Sequence, residues 1–196
     1  MELVTVIALA YLVGSVPFAF LLSRQRGIDL RQVGSGNIGA SNVLRTSGVR
    51  IAVIAMGLDA IKGVVAVMVA ERLAGGAGAA MAAGLASVFG HIYPIWLRFR
   101  GGKGVATAAG VLIGVDPWLG LATLITFGAI VAFFRMVSLA SILAALFAAS
   151  FAFWLFGTRP ITAAVAIIAT LVIARHHANI GRILRGEESK LGRRSA

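Results

Sequence analysis

The sequence predicts an all-α polytopic membrane protein of seven transmembrane helices, one of them half-length, with the N-terminus outside and the C-terminus in the cytoplasm. Three observations predict it. Of the 196 residues 59% are apolar and only 13% charged, and the mean hydropathy of +0.95 lies far outside soluble usage. The apolar residues gather in long runs separated by basic connections. Lys and Arg are also divided very unevenly between alternate connections.

The first run, Leu3 to Leu22, matches the ~20 residues that a bilayer core requires. It is read as a retained helix rather than a signal peptide: Met1-Glu2 provides no basic leader, and Gly14, Ser15 and Pro17 interrupt the apolar run. Further spans are expected at Ile51 to Ala70, Ala77 to Leu97, Val105 to Val115, Trp118 to Phe134, Ser138 to Phe156 and Ile161 to Ala174. The fourth, Val105 to Val115, is about half a span and should be short, re-entrant or sheltered by its neighbours. Between Gly75 and Gly84 the chain is almost all Gly and Ala, which suits close helix packing. No soluble domain is left over, so residues 1–196 are expected to form a single transmembrane domain.

Fifteen basic residues then fall on one side (Arg24, Arg26, Arg31, Arg45, Arg50, Arg98, Arg100, Lys103, Arg135, Arg175, Arg182, Arg185, Lys190, Arg193 and Arg194), with only Arg72 and Arg159 opposite. Positive charge stays in the cytoplasm, which sets the orientation. The net charge of +11 therefore points to anionic lipid headgroups and small phosphates rather than nucleic acid. The absence of cysteine excludes disulfides and thiolate chemistry, and three histidines leave little for a metal site. Neither a metal nor a cofactor is expected.

Two glycine-rich basic turns are the candidate sites. Gly34-Ser35-Gly36-Asn37-Ile38-Gly39-Ala40-Ser41-Asn42 formally contains G-x-G-x-x-G, but it follows an apolar helix rather than a strand, so the dinucleotide reading fails. Its local physics still suits an anion. Glycines let N–H groups approach, Ser35 and Asn37 add donors, and Arg45 adds charge. The second turn, Gly101-Gly102-Lys103-Gly104, has Leu97 and Gly104 where a Walker A loop needs Gly and Ser or Thr. It nonetheless feeds a helix start, offering N–H groups, the positive dipole end and the Lys103 charge to a phosphate. Arg98 and Arg100 are equally well read as interfacial anchors, and Arg193 and Arg194 as a basic tail.

Ser138 and Ser141 share one helical face, as do Arg175 and Asn179, while Asn179 stands three residues from both His176 and Arg182. That second, donor-rich face suits another phosphate. Asp59 and Lys62, three apart within an apolar span, predict a structural ion pair, and His91 an interfacial hydrogen-bonder. On the seven-span topology Ser35, Asn37, Arg45, Lys103, Ser138, Ser141, His176 and Asn179 converge at cytoplasmic helix ends.

These motifs, in order along the chain, resemble those of the bacterial acyl-phosphate-dependent glycerol-3-phosphate acyltransferases. The resemblance runs through Gly14-Ser15-Val16-Pro17, the Gly34 to Arg45 loop, Asp59-Ala60-Ile61-Lys62-Gly63, Gly90-His91-Ile92-Tyr93-Pro94 with Gly101 to Thr107, Ser138-Leu139-Ala140-Ser141, and Arg175-His176 with Asn179-Ile180 and Arg182. It implies acyl transfer from acyl phosphate to the 1-hydroxyl of sn-glycerol 3-phosphate, giving lysophosphatidic acid and phosphate. It also implies a multi-pass protein of the bacterial inner membrane working among membrane lipids; the chain is expected to function as a monomer. His177 beside His176 leaves open which histidine acts.

The H-x-x-x-x-D motif of other glycerolipid acyltransferases is absent, since Trp96, Gly181 and Arg182 stand five residues beyond the three histidines. The expected catalytic residues are therefore donors and phosphate binders: Ser35, Asn37, Lys103, Ser141, His176 and Asn179. Gly34, Gly36, Arg45, Gly101, Gly102 and Gly104 complete the phosphate-binding set. The rival reading is a small organic-phosphate transporter or channel, which should show polar residues through both membrane halves. Here the outer halves are apolar apart from Arg72, Asp116 and Arg159.

Overall fold

The computed structural model describes residues 2–192, so the basic tail at Arg193 and Arg194 lies outside the described residues. The chain divides into two compact units, Met1–Val115 and Asp116–Ala196. The first holds α1 (Leu3–Ser15), α2 (Phe18–Arg24), α3 (Ala40–Thr46), α4 (Val49–Ala70), α5 (Gly76–Ile92) and α6 (Val105–Val115). The second holds α7 (Pro117–Phe134), α8 (Val137–Phe156), α9 (Pro160–Ala174) and α10 (His177–Leu184). No strand occurs among the described residues.

The expectation of seven transmembrane helices is not met. Among the described residues four helical stretches are long and apolar enough to cross a membrane: Leu3–Arg24, Val49–Leu97, Pro117–Phe134 and Val137–Phe156. A fifth is reached if Pro160–Ala174 and His177–Leu184, bent by 60° at their junction, form one span. The discrepancy arises because apolar length in sequence is not helical length in space. The second and third expected spans belong to one 49-residue stretch that continues through a π turn at Glu71–Gly75. At 11 residues α6 extends only ~16 Å, about half of a ~30 Å hydrocarbon core. The N-outside, C-inside orientation rested on alternation through seven spans and falls with that count.

Local sequence explains most of the helix ends. Pro17 lacks an N–H and forces Val16 into an extended conformation, which separates α1 from α2. Pro117 and Pro160 open α7 and α9, where the missing donor costs nothing. Asp116 caps α7, its Oδ1 accepting the Leu119 N–H at 2.7 Å.

In the first unit α1 packs on α5, and α4 packs on both α5 and α6. Two crossings are tight because glycines face backbone. A methyl at Gly63 would overlap the Thr107 carbonyl, and one at Gly110 the Ala60 carbonyl. Gly14 and Gly90 make the same reciprocal contact with Ser87 and Tyr11. Without a hydrophobic drive between helices in lipid, such backbone approach supplies the dispersion that holds them. Within the Gly75 to Gly84 segment Ala79, Ala80, Ala83 and Gly84 are buried, whereas residues 75–78 are exposed.

The basic connection after α2 is pinned rather than loose. Leu30, Ile38 and Val43 join Ala19, Phe20, Ile51, Ala52 and Ala55 in one buried cluster, fixing the approach to the first glycine-rich turn. In the second unit α8 lies against α7 and α9. Its buried Ala140, Ala144, Ala148 and Ala152 recur every four residues and form one small-residue stripe.

Candidate active site

The first glycine-rich turn is organised by Asn42, which the sequence reading left without a role. Its Oδ1 accepts the Ser35 N–H at 3.0 Å, while Nδ2 donates to the carbonyls of Leu30 at 3.1 Å and Val33 at 3.0 Å. Gly34 adopts φ 61° beside it. A side chain there would collide with the Asn42 amide oxygen. Asn37 Oδ1 accepts the Gly39 N–H at 2.9 Å, so that oxygen shapes the turn. Ser35, Gly36 and Arg45 are exposed. The turn thus presents a hydroxyl and a guanidinium from a backbone held by one buried amide.

The second turn has a different construction from the one its glycines imply. The Gly101 N–H donates to Ile92 O at 3.0 Å and the Gly102 N–H to His91 O at 3.2 Å. Those two donors are therefore engaged at the end of α5, and the glycines serve close packing. A Cβ on Gly101 would overlap the His91 carbonyl, and one on Gly102 the His91 imidazole. Gly104 is buried at φ 83°, and α6 begins at the next residue. Lys103 is half-buried between them. Its ammonium and the first turn of α6 are the anion-attracting parts of this turn.

In the second unit the structure brings Ser138, Asn179 and Arg182 together on Glu188, which no sequence pattern singled out. The Glu188 carboxylate accepts from Ser138 Oγ, Asn179 Nδ2 and Arg182 Nε, each at 2.7 Å. Burial pushes its carboxyl up. The three hydrogen bonds and the Arg182 charge outweigh that and hold it below the ordinary glutamate value of 4.5. Leu191 anchors the segment by exchanging hydrogen bonds with Arg135, its N–H to Arg135 O at 2.7 Å and Arg135 Nη2 to Leu191 O at 2.6 Å. The signal that could have drawn attention to it is a donor-rich helix face followed closely by the acidic pair Glu187-Glu188 in a chain with only 7 acidic residues.

The two adjacent histidines differ sharply. His176 is buried, its Nδ1–H donating to Val172 O at 2.7 Å, so the neutral ring carries its lone pair on Nε2. His177 is exposed and its ring bonds locally, Nδ1 to the Ala174 carbonyl at 3.0 Å. Ser141 is buried and donates to Val137 O at 2.8 Å, one turn back.

The comparisons with known proteins cover these elements together. A family model described as glycerol-3-phosphate acyltransferase matches residues 4–186. The chain belongs to the glycerol-3-phosphate acyltransferase family. A relative from Ralstonia nicotianae is 48% identical over 189 residues, covering 93% of this chain and 91% of its own. One from Burkholderia pseudomallei is 47% identical over 199 residues, covering 99% and 98%. Among solved structures the acyltransferase is similar to PlsY (YgiH), an integral membrane glycerol 3-phosphate acyltransferase, in its glycerol 3-phosphate form. The TM-score is 0.93 at 39% identity, with 97% of this chain and 96% of that chain covered. The lysophosphatidic acid form of the same protein gives 0.91 at 38% identity. Membership of an enzyme family sets aside the transporter reading.

Because Glu188 is held below 4.5, its ion pair should stabilise the acyltransferase fully above that pH and progressively less as pH falls through the lower folded-state value. Glu188→Gln removes the charge at every pH. The thermal midpoint of purified wild type should exceed that of the variant at about pH 7, with the gap closing towards about pH 3. A constant gap over that range would mean that the carboxylate charge contributes nothing.

Proposed function

We propose that the chain transfers a fatty acyl group from acyl phosphate to the 1-hydroxyl of sn-glycerol 3-phosphate in the bacterial inner membrane, with residues 1–196 acting as one acyltransferase domain. The hydroxyl oxygen attacks the acyl carbonyl and the new ester bond forms. The bond from carbonyl carbon to phosphate oxygen breaks, and the hydroxyl proton leaves with the phosphate. Lysophosphatidic acid and inorganic phosphate result.

The observation that carries this reading is Lys103, held in a buried glycine turn at the mouth of α6, where charge and helix dipole act together on a phosphate. Ser35 and Arg45, on the turn braced by Asn42, supply the donors for a phosphate or a developing oxyanion. Asn37 shapes that turn. Gly34, Gly36, Gly101, Gly102 and Gly104 act through the backbone conformations and close contacts that they permit. In the second unit His176, its ring fixed through Nδ1 to the Val172 carbonyl, helps to orient the attacking hydroxyl. Asn179, aligned by Glu188, and Ser141 complete the polar set.

Acyl phosphate is a mixed anhydride, already activated, so positioning and charge stabilisation suffice without a dedicated protein base. The acyl chain lies in apolar surroundings, where each methylene removed from water contributes about 0.8 kcal/mol. The basic residues of the two glycine-rich turns favour a membrane face at which anionic phosphates gather. The test is an assay of purified protein in detergent with acyl phosphate and glycerol 3-phosphate. Stoichiometric lysophosphatidic acid and phosphate are expected, and phosphate release without ester formation would refute the assignment.

A further inference from the structure

The proposed chemistry leaves three buried ionisable side chains unused: Asp59 and Lys62 on α4 and His91 near the end of α5. Their side chains are 3%, 2% and 8% exposed. Unpaired charge in a membrane core is strongly unfavourable, and a well-packed apolar cluster would join the helices at least as well. A buried ionic cluster therefore calls for a role beyond joining them.

The three side chains converge on one another within the helix packing. Lys62 Nζ lies 2.8 Å from Asp59 Oδ1, 3.0 Å from the Val16 carbonyl and 3.0 Å from His91 Nδ1. Two of the ammonium donors find acceptors in the Val16 carbonyl and His91 Nδ1, while Asp59 Oδ1 is met as an ion pair and has no hydrogen-bond partner among the described residues. His91 Nδ1 then accepts, so the neutral ring carries its hydrogen on Nε2. That nitrogen faces Gly102, where it fills the space a side chain would occupy. The His91 carbonyl holds the Gly102 N–H on the same side. One residue thus touches the ion pair with its Nδ1 edge and the Lys103 turn with its Nε2 edge and its carbonyl. The Lys62 bond to Val16 O, at the break before α2, ties α1 into the same network.

We propose that Asp59, Lys62 and His91 are positioning residues for acyl transfer, a buried network that sets the 101–104 turn and thereby the reach of Lys103 towards substrate phosphate. The proposal rests on the reading of Lys103 given above. The network acts through the turn and touches no substrate.

A double-mutant cycle separates positioning from general packing. His91→Leu keeps the volume and the two backbone bonds while removing both ring nitrogens. It should lower kcat/KM about tenfold in the otherwise native protein, mainly through kcat, and by no more than about twofold when Lys103 is already alanine. The neutral pair Asp59→Asn/Lys62→Met should behave alike without leaving a lone buried charge. Equal losses in both Lys103 backgrounds, or no loss in the native one, would overturn the proposal. If Lys103→Ala itself kept native efficiency, the reading of the lysine would fail first and the proposal with it, which a full loss in that variant distinguishes. Should His91→Leu not yield folded protein, the neutral pair is carried through the same cycle. Failure of both to fold would assign the network to structure alone.

Discussion

Replacing Lys103 by alanine is expected to lower kcat/KM for both substrates about tenfold to a hundredfold while leaving the fold intact. The magnitude follows from the loss of one charge-assisted contact to phosphate, worth about 1.5 to 3 kcal/mol, at about 1.4 kcal/mol per decade of rate. The fold should survive because the turn is fixed by other atoms: the Gly101 and Gly102 N–H groups on Ile92 O and His91 O, and Gly104 leading into α6. Lys103→Arg should recover only part of the loss, since the broader guanidinium must fit a half-buried site built for a compact ammonium. Steady-state kinetics on purified variants, with thermal midpoints as the control for folding, make the comparison. Native efficiency in Lys103→Ala would reduce the residue to an interfacial anchor.

What the sequence revealed about this site was whatever depends on near neighbours along the chain. The eleven-residue helix after Gly104 was legible with its bounds because glycines precede it and Asp116-Pro117 follows it. The i,i+3 spacing of Asp59 and Lys62 was enough to predict their pairing, now seen at 2.8 Å. What escaped depends on residues far apart. Glu188 meets Ser138 across 50 positions and Lys62 meets His91 across 29, and no periodicity encodes either contact. The glycines of the second turn misled for a related reason. Their N–H groups looked available because the partners, His91 and Ile92, lie on a helix that returns to them only in three dimensions. The span count failed because hydropathy measures apolar length and cannot see where helical residues continue through a π turn or stop short of a bilayer.

The choice of acyl donor is where the largest effect is expected: rapid acylation of glycerol 3-phosphate by acyl phosphate, and rates at least about a hundredfold lower with acyl-CoA or acyl carrier protein at equal chain length. The reason is partly chemical. A thioester attacked by an alcohol gains much from a base that removes the hydroxyl proton, and none of the three histidines has an aspartate five residues on to form that pair. A mixed anhydride is more reactive, and in the proposed mechanism its departing phosphate takes the proton. The reason is also one of surface. The adenine and phosphopantetheine parts of acyl-CoA need a broad cytoplasmic platform, yet the 25–39 connection is drawn down onto the helices by Leu30 and Ile38. The two basic glycine-rich turns offer donors and charge suited to the phosphate of a membrane-held chain. The measurement is the initial rate of lysophosphatidic acid formation with each donor, using protein purified free of other acyltransferases. Comparable efficiency with acyl-CoA would sink both the donor assignment and the mechanism without a protein base.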